Sequence, residues 1–511
     1  MYDVCLFNWK TELDSPTRVK TFMQSAMFSK GILHDIGVPL REPPTGLMLL
    51  AAILEEKGYT VEILDATLLE HPEQYIREHI GDYRMLGLTS LTNTFPEVQT
   101  IIRLAKHMHP GLFIVVGGPH VSFLSDAILE EMPEVDAVFI GEAERSFPWF
   151  VDQILLQPAI DYIYAGESYR LGETNNDPNV VSQRLSVAAE LPKGIAFRPF
   201  LPSAFDTLSA SSSDFSSESP SESLTNSTSH PSPTSLLPSS LPEVPFPDAT
   251  DLTVLPLPAR HLISRIYQVA DVIVNRGCPN QCSFCSRTHL FPKMRIRPLD
   301  QVFEEVDYIL SCGNYRFINF YDNININKQY FEAFLHGLIA RPQMLPWGAE
   351  LRSDGITLEQ AHLMKQANCR VIATGIESAS EMVLKTNFKF QNIEAVRQGI
   401  INVKQAGVAV QAYFVIGLPG DTPSEFAKTL AFLETLPLVP GVDQVDLFVT
   451  TPYPGSDLSL HPDKYGITIL SNPLDTYDCR QIQLETSTLK IADIARMVEQ
   501  SNHVKQNLGL S

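Results

Sequence analysis

Along the first 150 residues, short apolar runs rich in Val, Ile and Phe alternate with longer segments of helical period. Residues 2–7, 60–64, 84–89, 112–116 and 137–140 are apolar at nearly every position, the pattern of strands covered on both faces. Between them, 44–57, 95–107 and 123–131 space their apolar residues at three and four, which predicts helices. The first two carry a proline at the start, where a helix tolerates it. This alternation predicts a five-stranded, doubly wound, Rossmann-like α/β domain. Ligands of such sheets sit at the carboxyl ends of the strands, here Asn8–Trp9, Asp65–Ala66, Ser90–Thr92, Gly117–His120 and Gly141–Glu144.

The alternation resumes near residue 270. Strands are expected at 271–275, 317–321, 347–351, 371–376, 408–416 and 444–450, and helices at 299–310, 328–340, 358–366, 393–405 and 423–436. Six strand–helix units predict a partial (β/α)6 barrel of the TIM type, where eight would close a complete one. One further helix is expected at 489–507. Between the two patterns, 15 of the 32 residues from Ser209 to Ser240 are serine and none is Lys or Arg, so this stretch reads as disordered. The chain therefore divides into a first domain (1–165), a linker (166–265) containing the serine-rich part 209–240, a barrel (266–470) and a C-terminal segment (471–511).

Composition narrows the function classes. With 44% hydrophobic and 19% charged residues the 511-residue chain is ordinary globular material, and its net charge of −21 disfavours a phosphate-neutralising surface and hence a nucleic-acid partner. No apolar run is long enough to span a membrane, and residues 1–10 do not read as a signal peptide. Seven cysteines, an odd and sparse number, favour a reducing, cytoplasmic setting over a disulfide framework.

Three of those seven fall within eight residues. Cys278, Cys282 and Cys285 have C-x3-C-x2-C spacing on a loop that follows the first barrel strand, where barrel chemistry is found. Such a loop can aim three thiolates at one metal cluster. A saturated cluster or structural zinc takes four ligands, and His289 offers a Cys3His zinc alternative. Three cysteines on a cubane leave one iron open to a small molecule. Cys5, Cys312, Cys369 and Cys479 read as packing or incidental residues.

This loop, with Phe284 before its third cysteine, resembles the radical S-adenosylmethionine superfamily. So do the strand ending Tyr321-Asp322-Asn323, the strand ending Gly375-Ile376-Glu377-Ser378, and Gly417-Leu418-Pro419-Gly420-Asp421. The resemblance implies a 4Fe–4S cluster on Cys278, Cys282 and Cys285. Its open iron would chelate S-adenosylmethionine, and reductive cleavage would give a 5′-deoxyadenosyl radical. It also implies S-adenosylmethionine contacts from Glu377, Arg352, Asp322, Ile416 and Gly417, and an electron donor such as flavodoxin or ferredoxin. Relatives often carry two acidic residues where this chain has Asp322 and Asn323. By their residues alone, Glu377 and Asp322 read as strand-end carboxylates, and the glycines of 417–421 as a turn.

The first domain has its own resemblance, carried by Pro43-Pro44-Thr45-Gly46-Leu47, Gly117-Gly118-Pro119-His120 and Gly141-Glu142-Ala143-Glu144. These resemble the cobalamin-binding domain that precedes many radical enzymes. The pair of domains resembles the class containing the anaerobic magnesium-protoporphyrin ester cyclase and the hopanoid and phosphinate methylases. The implied cofactor is cobalamin, against Gly117, Gly118 and His120, with no histidine from an Asp-x-His-x-x-Gly motif on cobalt. His120 also reads as a turn histidine. Glu142 and Glu144 read either as neighbours of the corrin amide arms or as acidic residues opening a helix. The expected function is methyl transfer to an unactivated carbon of a small-molecule substrate. An oxidative cyclase or rearrangement enzyme and a non-enzymatic redox or ligand sensor are the alternatives. Tyr453-Pro454-Gly455 also matches a family turn, with no role assigned.

Overall fold

Strand β1 (Tyr2–Asn8) sends Val4 and Leu6 into one apolar core and Cys5 and Phe7 into another, so it is buried on both faces. It lies at the switch point of a sheet of order β2-β1-β3-β4-β5-β6 in a computed structural model that describes residues 2–8, 43–69, 71–155, 193–197, 246–263, 267–321 and 323–510. The serine-rich stretch 209–240 and Asp322 lie outside the described residues. Strands β2 (Val61–Asp65), β3 (Tyr83–Thr89), β4 (Phe113–Gly117) and β5 (Ala137–Phe139) run parallel to β1. A sixth strand, β6 (Ile195–Phe197), comes from the segment read as linker and pairs antiparallel with β5.

Helices cover both faces. On one side lie α1 (Thr45–Glu56) and α5 (Ser146–Leu155); on the other lie α2 (Pro72–His79), α3 (Phe95–Met108) and α4 (Ser125–Glu131). In α3 the buried residues Phe95, Val98, Ile101, Ile102 and Ala105 keep the three-and-four spacing that the sequence displays. Helices α2 and α5 were not among those expected.

The second sheet has the order β14-β13-β12-β11-β10-β7, all parallel, and its two edges do not pair. Its strands are β7 (Val269–Ile273), β10 (Phe317–Tyr321), β11 (Trp347–Glu350), β12 (Cys369–Glu377), β13 (Ala409–Ile416) and β14 (Gln444–Val449). Helices α7 (Leu299–Cys312), α8 (Lys328–Ile339), α9 (Leu358–Gln366), α11 (Ile393–Gln405) and α12 (Pro423–Glu434) pack on it. Alternate strand residues such as Ala270, Val272, Ile318, Phe320, Val410 and Ala412 enter the core under these helices. The intervening Asp271, Asn319, Gln411 and Asp446 face one another instead: Asn319 donates to Asp271 at 3.2 Å and Gln411 to Asp446 at 2.7 Å. A barrel short of two units thus keeps a polar inner face rather than a packed apolar one.

Short elements complete the chain: a hairpin of β8 (Asn275–Arg276) and β9 (Arg295–Ile296) enclosing α6 (Arg287–Leu290), α10 (Glu381–Thr386), α13 (Asp457–Leu460), and β15 (Ile467–Ile469) paired with β16 (Leu484–Thr486). The expected C-terminal helix is α14 (Ile491–Asn507), which packs Ile494 and Met497 against Ile416 and Phe426.

Candidate active site at the domain seam

The first barrel strand does not run straight into the cysteines. After Val274 the chain enters the β8–β9 hairpin, and residues 277–294 form its connection. Gly277 opens that connection at φ +81°; a side chain there would lie 2.5 Å from the Lys293 carbonyl oxygen, so only glycine fits. The Cys278 thiol accepts from Asn280 Nδ2 at 3.3 Å, and the Cys285 N–H closes a turn on the Cys282 carbonyl. Burial pushes the Cys282 thiol up to about 12, against the pull of Lys389. Burial raises Cys285 as well.

Two further loops hold this one. Ser283 donates its N–H and hydroxyl to the carbonyl and side chain of Asn387, at 3.0 and 2.7 Å. The same fully buried amide donates to the Pro419 carbonyl at 2.9 Å, so Asn387 joins the cysteine loop to the Gly417–Asp421 turn. Phe388 follows at φ +54°, ending α10 in the left-handed conformation usually left to glycine, at a cost of roughly 1–2 kcal/mol. Its carbonyl accepts from Cys282, and the next residue, Lys389, is half-buried with its ammonium 3.0 Å from Glu377 Oε1. Asn387 and Lys389 carry no periodic or motif signal, and sequence reasoning missed both.

Glu377 ends β12 at φ +63°, beside a register shift against β13. A Cβ on Gly375 would collide with its carboxylate, so the glycine makes room for this turned-back side chain. Strain at a strand end of this kind marks functional positions. Arg352 is clamped by Asp354 at 3.1 and 2.6 Å and donates to the Phe390 carbonyl at 2.8 Å. Burial works against its charge, and Asp354, Cys282 and Cys278 outweigh it, raising its pKa. Cys278, Cys282, Cys285, Arg352 and Glu377 therefore share one site. Ile416 instead turns its side chain into the core with Phe426 and Ile494, while Gly417 at φ +79° offers backbone. Burial lifts the Asp421 carboxyl to about 7 despite hydrogen bonds from Thr422 and Gly417.

Among the described residues no trio of His, Cys, Asp or Glu converges on a single ion, and His289 Nδ1 lies 2.9 Å from the Gly455 carbonyl oxygen. No such group among the described residues supports the Cys3His zinc reading. Three thiols on one loop suit a cluster with one iron per cysteine.

At the strand ends of the first domain, Gly118 adopts φ +105° with its α-carbon pressed on β3. A side chain would meet the Ser90 oxygen at 2.6 Å. His120 folds beneath this turn, Nδ1 3.2 Å from Thr92 Oγ1 and its ring 4.5 Å from that of Phe95. Burial lowers its pKa to about 3, so the imidazole is neutral, and Nε2 has no partner among the described residues. Glu142 and Glu144 neither open a helix nor stand free. Glu142 pairs with Arg295 at 2.5 Å and Arg276 at 3.4 Å, and Glu144 pairs with Arg276 at 2.6 Å. Phe123 fills the space over Gly455, whose Cβ would strike the ring. Tyr453 reaches Tyr477, itself part of the first domain's core. The strand ends of the first domain thus meet the cysteine loop at one seam.

Residues 36–151 match the model of the B12 binding domain, and residues 272–433 match that of the Radical SAM superfamily. The chain thus combines a B12-binding domain with a Radical SAM domain. Its sequence is 26% identical to that of an uncharacterized methyltransferase of Pyrococcus horikoshii, over 81% of this chain and 77% of that one. It is 25% identical to the anaerobic magnesium-protoporphyrin IX monomethyl ester cyclase of Rubrivivax gelatinosus, over 81% and 65%, and to the cytidylyl-2-hydroxyethylphosphonate methyltransferase of Streptomyces wedmorensis, over 83% and 78%. Its fold is shared with the radical S-adenosylmethionine methyltransferase TsrM of Kitasatospora setae solved with cobalamin and a 4Fe–4S cluster (TM-score 0.61, 14% identity, 98% of this chain and 92% of that one). The cobalamin-dependent enzyme OxsB is also similar (TM-score 0.58, 15% identity, 100% and 62%). The protein is an enzyme whose two domains imply a 4Fe–4S cluster, S-adenosylmethionine and cobalamin. The three-thiol loop fits the first. At the strand ends, the buried Nε2 of His120, without a partner among the described residues, is the group that fits a ligand seated there. No helix among the described residues is long and apolar enough to cross a membrane.

Proposed function

We propose that this enzyme is a cobalamin-dependent methyltransferase acting on an unactivated carbon of a small molecule. The observation that carries the reading is the seam itself: the cysteine loop and the strand ends beside Gly118 and Glu142 belong to one continuous contact. When bound, the cluster with S-adenosylmethionine supplies a 5′-deoxyadenosyl radical and cobalamin supplies a methyl group. Cys278, Cys282 and Cys285 ligate the cluster. Glu377, Arg352, Asp322 and the Gly417 backbone orient S-adenosylmethionine, with Ile416 as packing behind that backbone and Lys389 holding Glu377 in place. Gly117, Gly118 and His120 support the corrin without a histidine from the Asp-x-His-x-x-Gly motif. The buried walls of the seam exclude water and oxygen. A one-electron protein donor of the flavodoxin or ferredoxin kind reduces the cluster.

Anaerobic reconstitution with iron and sulfide tests this. Full-length protein should then produce 5′-deoxyadenosine from S-adenosylmethionine, and Cys278→Ala, Cys282→Ala or Cys285→Ala should each lose iron loading and at least a hundredfold of that cleavage. Full cleavage in any single variant overturns the ligand assignment. The likeness to the magnesium-protoporphyrin cyclases supports a second reading, an oxidative cyclase. Product mass separates the two, because methylation adds a carbon and cyclisation does not.

A further inference from the structure

The hairpin that carries the cysteine loop is built against itself. Arg276 of β8 and Arg295 of β9 are directly opposite in its register, and like charges facing each other across a strand pair destabilise it. Both side chains are largely withdrawn from water. Their compensation comes from the other domain. Glu142 Oε1 lies between the two guanidiniums, 2.5 Å from Arg295 and 3.4 Å from Arg276, and Glu144 takes the remaining face of Arg276 at 2.6 Å. Thr250 completes the clasp, donating its N–H to Glu142 at 2.6 Å and accepting from Arg295 at 2.7 Å. The cysteine loop leaves this clasp at once, since Gly277 and Cys278 follow Arg276.

The clasp also continues inward to the strand-end glycines. The Ser122 hydroxyl donates to the Gly118 carbonyl at 2.8 Å and accepts from the Gly141 N–H at 2.9 Å, and Gly141 precedes Glu142. A hydrogen-bonded path therefore runs from the turn at Gly118 through Ser122, Gly141 and the two glutamates to the root of the cysteine loop.

We propose that Glu142 and Glu144 are positioning residues through which corrinoid binding in the first domain and cluster loading in the second strengthen one another. This rests on the function proposed above and extends it. A ligand seated over Gly118 fixes the 118–122 turn and hence the two carboxylates, which close the base of the hairpin and bring the three cysteines into register. Linkage requires the effect to be reciprocal.

The test uses the full chain under anaerobic conditions, with hydroxocobalamin as the probe. Its Kd is measured for cluster-free and cluster-loaded protein, and the cluster's resonance spectrum and midpoint potential are measured with and without it. Wild type should bind the corrinoid about 5- to 50-fold more tightly once the cluster is loaded, within the usual range of such couplings. The double variant Glu142→Gln/Glu144→Gln should still bind both groups with a ratio near one and a midpoint potential indifferent to hydroxocobalamin. Glu142→Asp/Glu144→Asp, which keeps the charge, should restore part of the ratio. Should the glutamine variant not fold, hydrogen exchange on cluster-free wild type still decides: hydroxocobalamin should slow the amides of 277–294. A ratio near one in wild type, an unchanged ratio in the glutamine variant, or unaltered exchange in 277–294 overturns the inference while leaving both cofactors assigned. Absence of corrinoid binding overturns the proposed function as well.

Discussion

Two buried carboxylate–arginine networks adjoin the β8–β9 hairpin, and they are built differently. In one, Glu305 of α7 pairs with Arg260 at 2.6 Å and with Arg297 at 2.6 Å, a single carboxylate for two guanidiniums, all almost completely buried. Its members come from the barrel and from the strap leading into it. In the other, Glu142 and Glu144 meet Arg276 and Arg295, two carboxylates for two guanidiniums, and the pairing crosses from one domain to the other. The first is a single point of compensation inside one unit, so its loss falls on stability. The second is balanced and shared, so either glutamate can be weakened without stranding both cations, which suits a contact that registers two domains.

The largest way to break this contrast is Glu305→Ala. Two buried guanidiniums lose the one carboxylate that they have among the described residues, and removing one partner of a buried pair costs about 3–5 kcal/mol. Denaturant unfolding should show a loss of that size, and a loss below about 1 kcal/mol would show that water compensates the arginines. Glu142→Ala should cost less, about 1–3 kcal/mol for the unsatisfied donors of Arg295 and Thr250, because Glu144 still holds Arg276. If it costs as much as Glu305→Ala, the two networks are equivalent and the contrast fails. The smallest effect is in acid. Burial raises the Glu142 pKa, but Arg295, Arg276 and the Thr250 N–H outweigh burial and hold it below the ordinary value. The unfolded chain then binds more protons than the folded one as pH drops from about 4.3, so this part of the stability is present above that value and is lost below it. The stability gap between wild type and Glu142→Gln should therefore narrow in that window, read from urea midpoints at successive pH values.

Legibility followed sequence distance. The cysteine loop was legible because Cys278, Cys282 and Cys285 are local, and the strands were legible because burial on two faces leaves continuous apolar runs such as those of β1 and β4. The short β6 was not, since three residues in an irregular segment carry no period. Lys389 and Asn387 were invisible for a different reason. Asn387 meets Ser283 across 104 positions, and Lys389 matters only because β12 brings Glu377 to it. Glu142 and Glu144 were legible as acidic residues after β5, but their arginine partners were not: those lie beyond the linker, and no local rule pairs Glu142 with an arginine 153 residues away.

The sequence alone thus determined the two α/β units, their order and the three-cysteine loop, because periodicity and close spacing are written in neighbouring residues. Tertiary structure decided which charges meet: that Glu377 turns back to Lys389, that His120 is buried and neutral, and that the opposed arginines of the hairpin are neutralised by the other domain. Charge compensation depends on distance in space and on exclusion of water, and the chain acquires both only when it folds.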